Sequence, residues 1–293
     1  MIATTTRPFL LACAAGLGAA ALGGCAVPTM AQGGVENAPD VMPMMSEPTY
    51  ADLATLADRA DLVLRATVQR QARVEEERAP GLAPGHARLY IEAETDALIA
   101  GEVPVGESLR YLADVPLDRD GDVPSLRKQT VLLFARPVPG RPAELQLVDP
   151  RAQFPWTEEL AGRVRPILAA LVAPDAPPVV TGIEDALSIA GNLVGESETQ
   201  FFLETASGAP ASVTVLRRPG QPPRYGVSWS ELVDQSARPV ERDTLGWYRL
   251  ACGLPDNLPE SANLARDAEA RQRAERDYAW LLEQLGDCER NLT

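Results

Sequence analysis

The stretch from Ala60 to Val74, ADLVLRATVQRQARV, indicates the fold of the first half of the chain. Leu62, Leu64, Ala66 and Val68 alternate with residues that are mostly polar. Side chains of an extended chain point alternately to its two faces, so this pattern is typical of a strand with one buried face. We therefore predict a strand here, with a short helix capped by Thr49 before it.

Four more segments of the same kind follow within the next 80 residues. They occupy residues 88–101, 109–113, 129–138 and 144–149. Loops rich in Gly, Pro and Asp separate them, and the spacing leaves no room for long crossover helices. Five short strands without crossover helices favour an antiparallel sheet that closes into a small barrel.

Three of these segments resemble parts of a recurrent exported bacterial module. They are ADLVLRATV (60–68), YIEAETDALIAGE (90–102) and VLLFARPV (131–138). The module has an OB-like, netrin or protease-inhibitor-like barrel, so the resemblance implies a barrel that binds a ligand or a protein. Metalloprotease inhibitors of that fold act through an N-terminal cysteine. Residues 49–150 contain no cysteine, so that mode of inhibition does not carry over.

The second half is predicted to be a separate α+β domain, residues 151–293. Its expected elements are a helix capped by Thr157, a helix over 181–193 with a capping box from Thr181 to Glu184, three strands within 199–229, a short helix with Trp247 and Cys252, and a helix from about 262 to 285 ended by Gly286. The fold class is therefore α+β: a small antiparallel OB-like barrel at 49–150, then a three-stranded antiparallel sheet with a long C-terminal helix.

The N-terminus has the layout of an export signal. An unbroken apolar run from Phe9 to Leu22 follows Arg7, and it is shorter than the roughly 20 residues of a membrane-spanning helix. Leu22-Gly23-Gly24-Cys25 resembles the bacterial lipobox, which implies a lipid on Cys25. Ordinary cleavage after Ala31 is the alternative.

This pattern divides the N-terminal region into a signal at residues 1–25 and a flexible tether at 26–48. A lipid-anchored chain is expected on the periplasmic side of the outer membrane, because Ala26 is not a retention-type aspartate. Cleavage after Ala31 would instead leave the chain in the periplasm.

Cysteine usage agrees with export. Of the four cysteines, Cys13 and Cys25 belong to the signal region, which leaves Cys252 and Cys288. Two remaining cysteines in an exported chain most simply pair with each other. A redox or metal-binding role is the alternative, although no CxxC motif is present.

Charge and missing motifs exclude several function classes. The formal net charge of −14 is repelled by phosphate backbones, so we expect no nucleic-acid partner. His86 is the only histidine, so HExxH zinc sites and histidine-based triads are excluded. GxSxG and the glycine-rich phosphate-binding motifs are also missing. We predict no cofactor and no metal.

One cluster runs against the acidic charge. Arg217 and Arg218, with Arg224 across the PGQPP turn, gather three guanidinium groups that suit an anion or a protein partner. A solubilising turn is the alternative. We predict an envelope protein that acts by binding an anionic ligand or an envelope protein, in a ligand-binding, inhibitory or assembly role. A metal-independent envelope hydrolase that uses carboxylates, such as Glu196 and Glu198, is the second hypothesis.

Overall fold

The described part of the chain comprises residues 47–230, 238–265 and 267–292 of a computed structural model. The predicted signal peptide, Cys25, the alternative cleavage site and residues 26–46 of the tether lie outside these residues. Glu47 is held by two contacts: its carboxylate lies 2.5 Å from Arg163, and its carbonyl accepts from the Asn291 side chain at 2.7 Å. No helix in the described part is long and apolar enough to cross a membrane.

The five strands predicted in the first half form a closed β-barrel. They are β1 (Leu62–Arg73), β2 (His86–Ala100), β3 (Ser108–Pro116), β4 (Thr130–Val138) and β5 (Arg141–Leu147). The strand order is β1-β2-β3-β5-β4, and β4 pairs back to β1. The pairs are antiparallel except β3 with β5, which is parallel. A short strand that was not predicted, β6 (Gln153–Pro155), extends the sheet beside β4.

Two helices pack on each other beside the barrel. Each begins at the cap that the sequence predicts, Thr49 for the first and Thr157 for the second. They are α1 (Tyr50–Arg59) and α2 (Glu158–Leu171). Thr49 and Asp52 form a reciprocal capping box, in which each side chain accepts from the other residue's backbone amide. The Thr157 hydroxyl accepts from the amide of Leu160 at 3.0 Å. These bonds satisfy amides that have no partner inside a helix.

The second sheet has four strands, so the three-stranded prediction is wrong. The strands are β7 (Val180–Ala190), β8 (Ser197–Thr205), β9 (Ser212–Arg217) and β10 (Arg224–Ser228), paired antiparallel in chain order. The additional strand is β7, in the segment predicted as a helix, and the capping box from Thr181 to Glu184 does not form. Both periods fit these residues, and nine residue pairs between β7 and β8 decide in favour of the strand.

The C-terminal region contains α3 (Leu245–Ala251) and α4 (Ala268–Leu285). The long helix was predicted to begin near residue 262, but it begins six residues later because Asp267 caps it, accepting from Ala270 at 2.7 Å. Gly286 ends it with φ +68°, as predicted. The predicted disulfide between Cys252 and Cys288 is present, and it links the end of α3 to the segment after α4.

The barrel, the second sheet and the helices share one continuous apolar core. Polar contacts cross it: Asp58 on α1 accepts two hydrogen bonds at 2.9 Å from the buried Arg249 guanidinium on α3. Asp52 accepts from the amides of Asn291 and Leu292, which fastens the C-terminal segment to α1. The sequence-based boundary at residue 150 stays a prediction.

Buried tyrosines make the protein sensitive to alkali. Burial raises the pKa of Tyr50 to about 12, and it also raises the pKa of Tyr111, Tyr225 and Tyr278. An unfolded tyrosine loses its proton near pH 10, whereas these folded ones keep theirs, so folding stability is present below pH 10 and is lost above it.

The pKa is raised most for Tyr50, Tyr111 and Tyr278. Each should lower the free energy of unfolding by about 1.4 kcal/mol per pH unit above pH 10, so we expect a fall of up to about 4 kcal/mol between pH 9 and pH 11. Urea denaturation at several pH values measures this. In Tyr111→Phe the slope should be smaller by about one tyrosine's share. An equal free energy of unfolding at pH 9 and pH 11 would show that burial does not raise the pKa of these tyrosines.

Candidate functional site

The predicted arginine cluster lies at one end of the second sheet, but its members have different surroundings. Arg217 is the last residue of β9, Arg218 follows it, and Arg224 begins β10 opposite Leu216. Successive residues of a strand point to opposite faces. Arg217 therefore lies on the face covered by α4, whereas Arg218 and Arg224 are exposed.

Arg217 is held by α4. Its Nε donates to Asp277 Oδ1 at 2.5 Å, and its guanidinium lies 5.9 Å from the centroid of the Trp280 ring. The Asp277 side chain is 2% exposed and also accepts from the Thr199 hydroxyl. A buried carboxylate is tolerated when a cation and hydrogen bonds compensate its lost hydration. Arg217 therefore joins the sheet to α4.

Aromatic pairs complete this contact between α4 and the inner face of the sheet. Phe201 meets Tyr278 edge to face at a centroid distance of 5.4 Å, and Tyr225 meets Trp280 at 6.3 Å. The Tyr278 hydroxyl donates to the Pro255 carbonyl at 2.6 Å, so its polar end is satisfied despite burial. The inner face of the sheet is thus a packed interface.

The outer face of the same sheet exposes apolar side chains. Leu187 is 48% exposed, Ile189 is 59% exposed and Phe202 is 36% exposed. Near the β7–β8 hairpin this face forms an open cleft of about 280 Å³. Leu187, Ile189 and Leu216 supply its apolar part, and Arg217 and Arg218 also line it. We refer to it below as the outer cleft.

Gln200 lines the outer cleft and has an unused donor. It stands opposite Leu187 in the pairing of β7 with β8. Its Nε2 is buried and has no hydrogen-bond partner among the described residues. An unsatisfied buried donor costs about 1–3 kcal/mol, so such a group favours a bound acceptor, either a water molecule or a ligand.

The two glutamates considered for hydrolysis both line the outer cleft. Glu198 is exposed and stands opposite Ile189 on one side and Leu216 on the other. The Glu196 carboxylate accepts from the backbone amide of Leu193 at 3.3 Å, within the hairpin turn. Neither glutamate forms an ion pair with a described residue.

Other sequence features lie far from this cleft along the chain. His86 begins β2, and its Nδ1 lies 3.1 Å from the Pro84 carbonyl. Asp118 closes an acidic turn, accepting from the amides of Asp120 and Asp122. Within the described ranges no three His, Cys, Asp or Glu side chains are grouped as metal ligands would be.

Comparison with known proteins assigns no family. The chain matches no protein-family model, and a search of curated proteins found no similar sequence.

Sequence reasoning missed Leu187, Ile189, Gln200 and Leu216 as parts of a site. The segment 181–193 was assigned to a helix, which hid the alternation that exposes Leu187 and Ile189 on one face of a strand. In a strand, where side chains alternate, Leu187 and Ile189 lie on one face and Ala186 and Ser188 lie on the other. That signal was available, whereas the unpaired amide of Gln200 was not.

The two adjacent arginines should respond very differently to substitution. Arg217→Leu leaves the buried Asp277 carboxylate without its cation, so we expect a loss of about 3 kcal/mol in the free energy of unfolding. Arg218→Leu changes an exposed side chain, and its effect should stay within about 0.5 kcal/mol. Urea denaturation of both variants tests this. Similar losses in the two would show that Arg217 does not join the sheet to α4.

Proposed function

We propose that this protein is an exported, lipid-anchored envelope protein that acts by binding, and that the outer cleft is its binding site. The observation that carries the proposal is the combination of an apolar surface, an unpartnered amide and an exposed arginine in one cleft. Pockets with an apolar lining and a few convergent polar groups are typical of small-ligand sites.

The size of the cleft limits what it accepts. Its volume of about 280 Å³ lies just below the range of ligand pockets, which measure about 300–1,000 Å³. It therefore suits a small molecule or the end of a longer one. Covering Leu187, Ile189 and Leu216 supplies a favourable free energy of about 25 cal/mol per Å² of apolar surface.

The polar groups set the chemistry of the ligand. Arg218 has no ion pair within the described part of the chain and presents a fork of donors suited to a carboxylate or phosphate. Arg224 adds positive charge one strand away, opposite Leu216. Gln200 Nε2 requires an acceptor. The ligand therefore has an apolar body, an anionic group and a hydrogen-bond acceptor.

We further propose that the barrel is OB-like. Its support is the strand order β1-β2-β3-β5-β4, with closure between β1 and β4 and a parallel contact of β3 with β5. The resemblance of its first, second and fourth strands to exported bacterial modules points the same way. The resemblance of residues 22–25 to a lipobox and the disulfide of Cys252 with Cys288 both fit an envelope location.

Hydrolysis by carboxylates is the second candidate, because Glu196 and Glu198 line one cleft. We favour binding for a physical reason. A general acid needs a carboxyl group that is kept protonated by a dry environment, yet Glu198 is exposed and the Glu196 carboxylate already accepts a hydrogen bond from its own turn.

The anchor is tested by the intact mass of the mature protein, purified from its native host without reducing agent. We expect a chain that begins at Cys25 and carries acyl groups. Cys25→Ser is the matched variant, which should lose the acyl mass and leave the membrane fraction. An unmodified chain that begins at Gln32 would overturn the lipid anchor.

The cleft is tested with octanoate, which has an apolar chain and one carboxylate. Calorimetry should show binding that Arg218→Ala weakens about tenfold, since hydrogen bonds to charged groups contribute about 1.5–3 kcal/mol. Arg224→Ala should have a smaller effect. Arg110→Ala, an exposed arginine on β3, is the control and should have none. Absence of octanoate binding, or an equal effect of the Arg110 variant, would overturn this site.

A further inference from the structure

We infer that the ligand of the outer cleft is a short apolar peptide with a free amino group and a free carboxylate. This inference rests on the proposed function, because it concerns the same cleft. It adds a second charge to the ligand, of opposite sign to the first. The observation behind it is that an exposed arginine and an exposed glutamate, Arg218 and Glu198, both line the cleft beside its apolar side chains.

The two charges have a known separation along the sheet. Glu198 stands opposite Leu216 in the pairing of β8 with β9, and Arg218 lies two residues beyond Leu216. A strand rises about 3.3 Å per residue and neighbouring strands lie about 4.8 Å apart, which places the two Cα atoms about 8 Å apart. One ligand of modest length can therefore meet both side chains.

Each charge is available to a ligand. Arg217 is neutralised by Asp277 on the inner face, which leaves Arg218 as the exposed cation of the cleft. Glu198 is exposed and has no ion pair among the described residues, whereas Glu196 is engaged by the amide of Leu193. A simple anion would be attracted by Arg218 and repelled by Glu198. A zwitterion is attracted by both.

The length and the polar groups of the cleft fit a di- or tripeptide. Extended chains reach at most about 3.3–3.6 Å per residue, so two or three residues span about 7–11 Å between their ends. Apolar side chains would cover Leu187, Ile189 and Leu216. Gln200, whose Nε2 has no partner among the described residues, lies two residues past Glu198 on the side away from Arg218, so it lies outside the span between the two charged contacts. Free peptide ends supply the ammonium for Glu198 and the carboxylate for Arg218.

The test uses three forms of one probe with the mature wild-type protein: tri-leucine, its N-acetyl derivative and its C-terminal amide. Calorimetry should show that each capped form binds about tenfold more weakly than tri-leucine, because each loses one charge-assisted contact. Arg218→Ala should remove the penalty of amidation. Glu198→Gln should remove the penalty of acetylation.

Octanoate distinguishes a failure of the peptide inference from a failure of the proposed function. Glu198→Gln should weaken tri-leucine about tenfold but strengthen octanoate, since it removes an attraction in one case and a repulsion in the other. Glu204→Gln, on the same strand and outside the cleft, should change neither.

Equal binding of tri-leucine and N-acetyl-tri-leucine would overturn the peptide inference. If octanoate still bound in an Arg218-dependent manner, the proposed function would stand. Failure of both probes to bind would overturn both.

Discussion

The buried carboxylate of Asp277 constrains the second half of the molecule. It lies on α4, 2% exposed, and its two oxygens are occupied by Arg217 on β9 and Thr199 on β8. An unpaired charge at this position would be costly, so α4 has one orientation in which the carboxylate is compensated. The edge-to-face aromatic pairs Phe201 with Tyr278 and Tyr225 with Trp280 then complete the contact between α4 and the sheet.

This anchoring gives the two faces of the sheet different tasks. The inner face packs against α4, where Asp277 neutralises the charge of Arg217. The outer face keeps its exposed apolar side chains, the cation of Arg218 and the Gln200 Nε2, which has no partner among the described residues. A strand alternates its side chains, so two adjacent arginines, identical in chemistry, serve the fold and the proposed ligand separately.

The many acidic residues of the chain pair with several of its arginines. With 41 acidic and 27 basic residues, several arginines are committed to structural carboxylates, as in Arg88 with Asp114 and Arg249 with Asp58. Arg218 in the outer cleft forms no such pair within the described residues. In the proposed site its neighbour Glu198 would repel a simple anion, and this favours a ligand that carries both charges.

The barrel was predictable because its information is local. Alternation over residues such as Leu62, Leu64 and Ala66 tells which face is buried, and Gly- and Pro-rich turns mark the ends of strands. The caps at Thr49 and Thr157 and the stop at Gly286 are equally local. The disulfide followed by elimination, because only Cys252 and Cys288 remained after the signal region was set aside.

What the tertiary structure decided depends on partners distant in the chain. Residues 181–193 are compatible with a helix or a strand, and only pairing with β8 selects the strand. Asp267 rather than an earlier residue begins α4, because the preceding segment packs beside β7, where Ala262 accepts from Ala186. The sequence by itself determined the α+β class and the presence of a basic cluster. Arg217 is separated from Asp277 by 60 residues, so long-range contacts decided which arginine joins the sheet to α4 and which stays exposed.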